Sequence, residues 1–129
     1  ASEKDGTAQL DATTVALTVK DEVITSCAID SVQAKVSFDA KGAVTSDIKS
    51  TVKTKNELGK DYGMVAYGGA KAEWNEQAAA FAKYVTGKKP AEVAEIAIDE
   101  TTKPADADLS SSVTIAIGDF LSLIEKAAK

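Results

Sequence analysis

One aspartate and three serines ahead of a threonine form the part of this chain whose residue types could do chemistry. The run is Asp108-Leu109-Ser110-Ser111-Ser112-Val113-Thr114. Apolar residues then recur at helical spacing, at Val113, Ile117, Phe120, Leu121, Ile124 and Ala128, which predicts that the last helix starts inside this run, near Ser112. A helix start offers unpaired backbone N–H groups and the positive end of the helix dipole, which suit a phosphate. Thr114 would stand in the first turn with its hydroxyl near that phosphate, and plain capping by the serines is the alternative.

A second group of candidate binding residues lies in a glycine-containing stretch in the middle of the chain. Residues 53–64 end on Tyr62-Gly63-Met64 and are followed by Glu73-Trp74-Asn75-Glu76-Gln77. Tyr62 and Met64 flank a glycine in a predicted loop, so their large side chains are candidates for contact with a flat ligand. Trp74 falls on the apolar stripe of a predicted helix, where packing in the core explains it better.

The serine-rich run resembles the attachment motif of the FMN-binding domain family. That motif reads Asp-Gly-x-Ser/Thr-Gly-Ala-Thr/Ser, it precedes a helix, and its last hydroxyl carries FMN through a phosphoester. Asp108 matches the family aspartate, Ser111 the fourth-position hydroxyl and Thr114 the acceptor. Three positions depart from the pattern, because Leu109, Ser112 and Val113 stand where the family has Gly, Gly and Ala. Gly-Ala lets a backbone approach a phosphate closely, and a β-branched valine beside the acceptor narrows that space.

The middle region is similar to a subgroup of these domains found in Gram-positive surface proteins. In that subgroup a Thr-Lys-Lys-Glu-Leu-Gly-Asp-Asp-Tyr-Gly-Met run precedes a Glu-Trp-Tyr-Glu-Gln helix. Here the corresponding segments are Thr54-Lys55-Asn56-Glu57-Leu58-Gly59-Lys60-Asp61-Tyr62-Gly63-Met64 and Glu73-Trp74-Asn75-Glu76-Gln77. Together with the closing serine-rich segment, the likeness spans about residues 30–129.

The resemblance implies a flavin carrier module for electron transfer rather than a self-contained enzyme. FMN would be the cofactor, and a separate flavin transferase would esterify it to Thr114. Asp108, Ser110, Ser111 and Ser112 would cradle the phosphate or present the acceptor, and Tyr62 and Met64 would contact the ring. The partners would be that transferase and membrane quinone or electron-transfer proteins. The module would be extracellular or at the cell surface, with a lipid anchor in the full-length precursor.

Two other hypotheses stay open beside the carrier. The first is a non-redox surface module of the same fold, serving binding or interaction, that has lost the flavin. Ser112 and Val113 favour this module, whereas Asp108, Ser111 and Thr114 favour the carrier. The second is noncovalent binding of a small aromatic ligand between the loop at 62–67 and the serine-rich run.

Composition excludes several classes of function. The net charge is −5, and all 15 basic residues are lysines because the chain has neither Arg nor His. Without arginine or a basic face, nucleic acid is not expected as a partner. Without histidine, a self-contained hydrolase or zinc enzyme is not expected. The single cysteine, Cys27, is interpreted as a small buried hydrophobe. No stretch approaches the roughly 18 apolar residues that a transmembrane segment needs.

The strands expected to position these residues come first in the chain. A length of 129 residues fits one domain, residues 1–129, with residues 1–7 as a flexible tail. Alternating apolar and polar residues predict strands at 8–20, 23–29 and 32–38, a turn at 39–42 and a short fourth strand at 43–48. This order predicts an α+β fold, an antiparallel β-meander followed by helices, of the FMN-binding-domain type that the resemblance implies.

The helices are expected in the second half of the chain. A long connection at 49–70 contains a predicted helical turn at 55–58, stopped by Gly59. A helix over 71–86 follows, with its apolar stripe formed by Trp74, Ala78, Phe81, Ala82 and Val85. Pro90 begins a short helix over 91–96, and a polar loop at 98–108 leads to the serine-rich run.

Overall fold

The fold is built on one long antiparallel hairpin. The structure, a computed structural model, describes residues 4–129. Strand β1 spans Gly6–Lys20 and β2 spans Val23–Phe38, and the two strands pair from Gly6↔Phe38 to Lys20↔Val23. The predicted α+β order, strands first and helices after, is confirmed. The strands predicted at 23–29 and 32–38 are one continuous strand, so the sheet is a hairpin and not a meander.

Strand β2 continues through the polar pair Asp30-Ser31, which the sequence pattern treats as a break. The Ser31 hydroxyl is buried, donates to Ala12 O over 3.1 Å and lies 3.1 Å from Thr13 Oγ1. Asp30 Oδ1 accepts from the backbone N–H of Ser31 at 2.8 Å and of Asn56 at 3.2 Å. The polar groups are therefore satisfied by partners on β1 and on a distant segment, which removes the cost of keeping them in the strand.

A β-bulge at Thr25 changes which side chains of β2 face the helices. Thr18 pairs with Ser26 and Val19 with Ile24, so Thr25 is left out of the ladder and only its hydroxyl reaches β1, donating to Thr18 O over 3.3 Å. The extra residue reverses the alternation, and both Ile24 and Ile29 reach the core although five positions separate them.

The segments flanking the hairpin differ in part from the prediction. The turn at 39–42 is confirmed, since Gly42 N donates to Asp39 O over 2.9 Å. The predicted fourth strand is reduced to a single bridge between Phe38 and Val44. Of the predicted flexible tail, Gly6 and Thr7 belong to β1, and residues 1–3 lie outside the described residues.

Short helices follow the hairpin. They are α1 (Lys55–Leu58), a 3-10 helix (Gly59–Tyr62), α2 (Met64–Gly68), α3 (Trp74–Val85), α4 (Pro90–Ala94), α5 (Ala107–Ser110) and α6 (Gly118–Ala127). The predictions of α1, α3 and α4 are confirmed, with α3 and α4 shorter than expected. The last helix begins at Gly118 instead of near Ser112.

The core lies between the turn-proximal half of the hairpin and the helices. Helix α3 packs on β2, and α6 packs on β1. The predicted stripe of α3, from Trp74 to Val85, is buried as expected. The Phe120 ring of α6 lies 6.0 Å from Trp74 and 5.4 Å from Phe81, centroid to centroid. Within residues 4–129, no helix is long and apolar enough to cross a membrane.

Candidate functional site

The serine-rich run forms a short helix and a closed turn. Asp106 precedes α5, and its Oδ1 accepts from Asp108 N over 3.1 Å. The hydroxyls of Ser110, Ser111 and Ser112 donate to the carbonyls of Ala107, Asp108 and Leu109, at 3.4, 2.8 and 3.3 Å. All three serines thus bond to the backbone three residues earlier, and Asp108 is exposed at the surface.

The prediction that the last helix starts near Ser112 is therefore wrong. The backbone N–H groups of Ser110 to Val113 donate to carbonyls within this turn. Farther on, Ile117 N donates to Thr102 O over 2.8 Å, and residues 114–117 connect this turn to α6 outside any helix. The apolar spacing reports burial correctly, because Val113 and Ile117 are fully buried. The start of the helix is set by hydrogen bonds to distant residues such as Gln77 and Thr102, which the spacing of apolar residues cannot predict.

Thr114 is an exposed residue whose backbone is held in place by hydrogen bonds to the buried side chain of Gln77. Gln77 Oε1 accepts from Thr114 N at 2.8 Å, from Ile115 N at 3.2 Å and from the Thr114 hydroxyl at 3.2 Å. The glutamine side chain is 1% exposed, and its Nε2 donates to Ala72 O over 3.0 Å. One side chain of α3 therefore holds both the Thr114 segment and the residue that leads into α3.

A buried glutamate one turn earlier holds the second predicted segment. Glu73 is 7% exposed, and its carboxylate accepts from Met64 N at 3.0 Å and Val65 N at 3.1 Å. These are the first N–H groups of α2, where a carboxylate is also favoured by the helix dipole. Glu73 and Gln77 are four residues apart, which places them on one side of the helix start. The start of α3 therefore binds both the Met64 segment and the Thr114 segment.

Tyr62 faces a group of lysines rather than the serine-rich turn. The Lys55 ammonium lies 4.9 Å from the centroid of the Tyr62 ring and 5.0 Å from the centroid of the Trp74 ring. Tyr62, Lys35, Lys53 and Lys55 also line a cleft of about 310 Å³. Met64 is half-buried against the core, and the interpretation of Trp74 as a core residue is confirmed. Of the two predicted ring contacts, Met64 is thus held at the start of α3 by Glu73, and Tyr62 lines the cleft with the lysines.

A larger cleft than the one beside Tyr62 lies between β2 and α3. It measures about 640 Å³ and is lined by Thr25–Ile29 and by small side chains of α3, among them Ala78, Ala79 and Ala82. Asn75 also lines it, and its buried Oδ1 has no hydrogen-bond partner among residues 4–129. Burial raises the pKa of the half-buried Cys27 thiol, which keeps it protonated near neutral pH. Sequence reasoning missed this cleft, although the alanines at 78, 79 and 82 are a signal of space beside a helix.

The fit to a flavin phosphate is partial. The proposed acceptor fits, because Thr114 is exposed and held in a fixed place. A ready phosphate cradle does not form, because the N–H groups and hydroxyls of residues 110–112 are all engaged in the turn. No protein-family model matches this chain, and no curated protein and no solved structure matches it.

Proposed function

We propose that this chain is a flavin carrier domain whose Thr114 is esterified to the phosphate of FMN. It would act at the cell surface or outside the cell, passing electrons between membrane quinone or electron-transfer proteins and an acceptor. A flavin transferase would attach the cofactor. The resemblance of Asp108, Ser111 and Thr114 to the family motif suggests this function, and the geometry of Thr114 is the observation that carries it.

The Thr114 hydroxyl can leave its present partner at little cost. Gln77 Oε1 receives one hydroxyl and two backbone N–H groups, although a carbonyl oxygen has only two lone pairs. The hydroxyl contact, at 3.2 Å, is also longer than the roughly 2.8 Å typical of such bonds. When the hydroxyl turns to solvent, the two backbone bonds keep the segment in place. Thr114 would then present an accessible hydroxyl on a fixed backbone to a transferase.

The other candidate residues would have defined tasks around the acceptor. Ser111 and Ser112 could turn their hydroxyls from the turn carbonyls toward a phosphate, since both residues are exposed. Met64, held by Glu73 beside the start of α3, would offer an apolar surface to the ring, and Tyr62 would do so from its lysine-lined cleft. The flavin itself would supply the electron-transfer chemistry, and the protein would supply attachment and orientation.

One observation favours the second candidate function, a non-redox binding module of the same fold. Val113, which stands where the family has alanine, is fully buried in the core. The neighbouring N–H groups are all bonded within the turn or to Gln77. A phosphate next to Thr114 would then meet no free backbone donor, which is what decay of the attachment motif would produce.

Co-expression with a flavin transferase from a Gram-positive host tests the carrier. The measurements are intact mass and visible absorbance, with Thr114→Ala as the variant and Ser122→Ala, an exposed serine of α6, as the control in the same run. We expect one FMN adduct and a flavin spectrum, lost in Thr114→Ala and kept in Ser122→Ala. A flavinylated sister domain in the same host verifies the transferase. No adduct beside that positive control would reject the carrier and leave the binding module.

A further inference from the structure

On the edge of β2 that faces away from β1, the backbone is hydrogen-bonded at Ile24 and at Ile29 and open between them. At one end Ile24 N donates to Lys88 O over 2.9 Å, and Gly87 N donates to Ile24 O over 2.8 Å. At the other end Asn56 Nδ2 donates to Ile29 O over 2.8 Å. Since the direction of backbone amides alternates along a strand, the N–H of Ile29 and the N–H and C=O of Cys27 point to this same side. Among residues 4–129, nothing bonds to them there.

The cleft described above lies along this open stretch and gives it depth. Helix α3 forms the opposite wall, and its alanines at 78, 79 and 82 leave a space of about 640 Å³. The stretch from Thr25 to Ala28 is about 13 Å long at roughly 3.3 Å per strand residue. A helix beside a strand edge leaves room for one extended chain, whose backbone can complete the ladder.

Two further groups indicate the chemistry of the occupant. Asn75 Oδ1 is buried at the cleft and receives no hydrogen bond from residues 4–129, which is costly unless a bound molecule supplies an N–H or O–H. Lys83 is the charged side chain among the lining residues and forms no ion pair within the described part of the chain. An acidic group on the occupant would therefore be favoured at the Lys83 end of the cleft.

We propose that this cleft binds an extended peptide segment of a partner protein, which adds to β2 as a third strand. The peptide backbone exchanges hydrogen bonds with Cys27 and Ile29. A small side chain of the peptide faces Ala78 and Ala82, and an acidic residue lies near Lys83. This site is separate from Thr114, so it operates whether or not the chain carries a flavin.

Selection from a displayed library of randomised heptapeptides tests the proposal. The enriched peptides are measured by titration calorimetry against the wild-type protein, against Ala79→Trp, which fills the cleft from an exposed position, and against Ala94→Trp, a matched exposed alanine on α4. We expect enrichment of peptides with an acidic residue, a loss of affinity of about tenfold or more in Ala79→Trp, and no change in Ala94→Trp. Circular dichroism verifies that both variants fold.

Amide hydrogen exchange and peptide N-methylation separate strand addition from other binding. We expect the amides of Cys27 and Ile29 to exchange about tenfold more slowly with bound peptide, and N-methylation of alternate peptide residues to abolish binding. No enriched peptide, equal binding to Ala79→Trp, or protection elsewhere in the chain would each overturn the proposal. Protection of Cys27 that grows with protein concentration in the absence of peptide would assign the edge to a second copy instead.

Discussion

Gln77 connects the start of α3 to the Thr114 segment through a fully buried amide. Its two ends bond to Ala72 and to residues 114–115. Buried polar groups stabilise a fold only while every partner is present, because an unpaired group keeps its full desolvation cost. The position of Thr114 therefore depends on a residue 37 positions earlier in the chain.

Replacing Gln77 with leucine should destabilise the protein strongly. The substitution keeps the size of the side chain but leaves Ala72 O, Thr114 N and Ile115 N without partners. We expect the free energy of unfolding to fall by about 2–4 kcal/mol in urea denaturation. Thr114→Val is the control, with an expected loss below about 1 kcal/mol, because it removes only the hydroxyl contact and leaves both backbone bonds to Oε1. Equal losses in the two variants would show that Gln77 does not organise the segment.

Residue types alone identified the candidate threonine but not its environment. Asp108, Ser111 and Thr114 could be selected because their order and spacing match a motif. Glu73 and Gln77 stood in the second motif without an assigned role, because their partners are backbone N–H groups nearby only in the folded chain. A hydrogen bond between residues 77 and 114 leaves no periodic trace in the sequence. The geometry of the site therefore required the structure.

At the scale of elements, long-range bonds override the local pattern twice. The polar Asp30-Ser31 pair predicts the end of a strand. In the structure the Ser31 hydroxyl donates to Ala12 O and the Asp30 carboxylate accepts from Asn56 N, and β2 continues. The apolar spacing from Val113 to Ile117 predicts a helix. In the structure Thr114 N donates to Gln77 and Ile117 N donates to Thr102 O, and α6 begins only at Gly118. Helix α3 agrees with its prediction, because its apolar stripe is buried by packing alone and needs no long-range hydrogen bonds. Elements held by their own apolar faces are the predictable ones here.

Deleting Thr25 tests whether this residue is only the extra residue of the bulge. Without it four positions separate Ile24 from Ile29, and residues four apart in a regular strand face the same side, so both still face the helices with the present pairing to β1. We expect the free energy of unfolding to change by less than about 1 kcal/mol in urea denaturation. Thr25→Ala, which keeps the bulge, is the control and should cost less than about 0.5 kcal/mol in the same titration. A loss of about 3 kcal/mol or more on deletion, the scale for losing a buried isoleucine, would mean that the bulge itself is needed to place Ile24 in the core.

At the scale of the whole molecule, the helices cover only half of the hairpin. The buried hairpin residues, Ile24, Ile29 and Ser31, all lie between the turn and the middle of the ladder. Toward the open end, Leu10 is 64% exposed, and residues 32–38 include no buried side chain. The segment after β2 adds the bridge at Val44 and leaves Val44, Ile48 and Val52 exposed as well. One continuous ladder therefore has two halves of unequal tertiary support.

This asymmetry predicts that the hairpin opens from its far end. Hydrogen exchange followed by NMR should show ladder amides at 7–12 and 32–37 exchanging on the order of 100-fold faster than those at 14–18 and 26–30. The ladder bonds are of the same kind in both halves, so each half is the control for the other, and only the apolar covering differs. Equal protection in a dilute sample would contradict the prediction. Equal protection that fades on dilution would instead mean that a second copy covers the exposed half, because only an association depends on concentration.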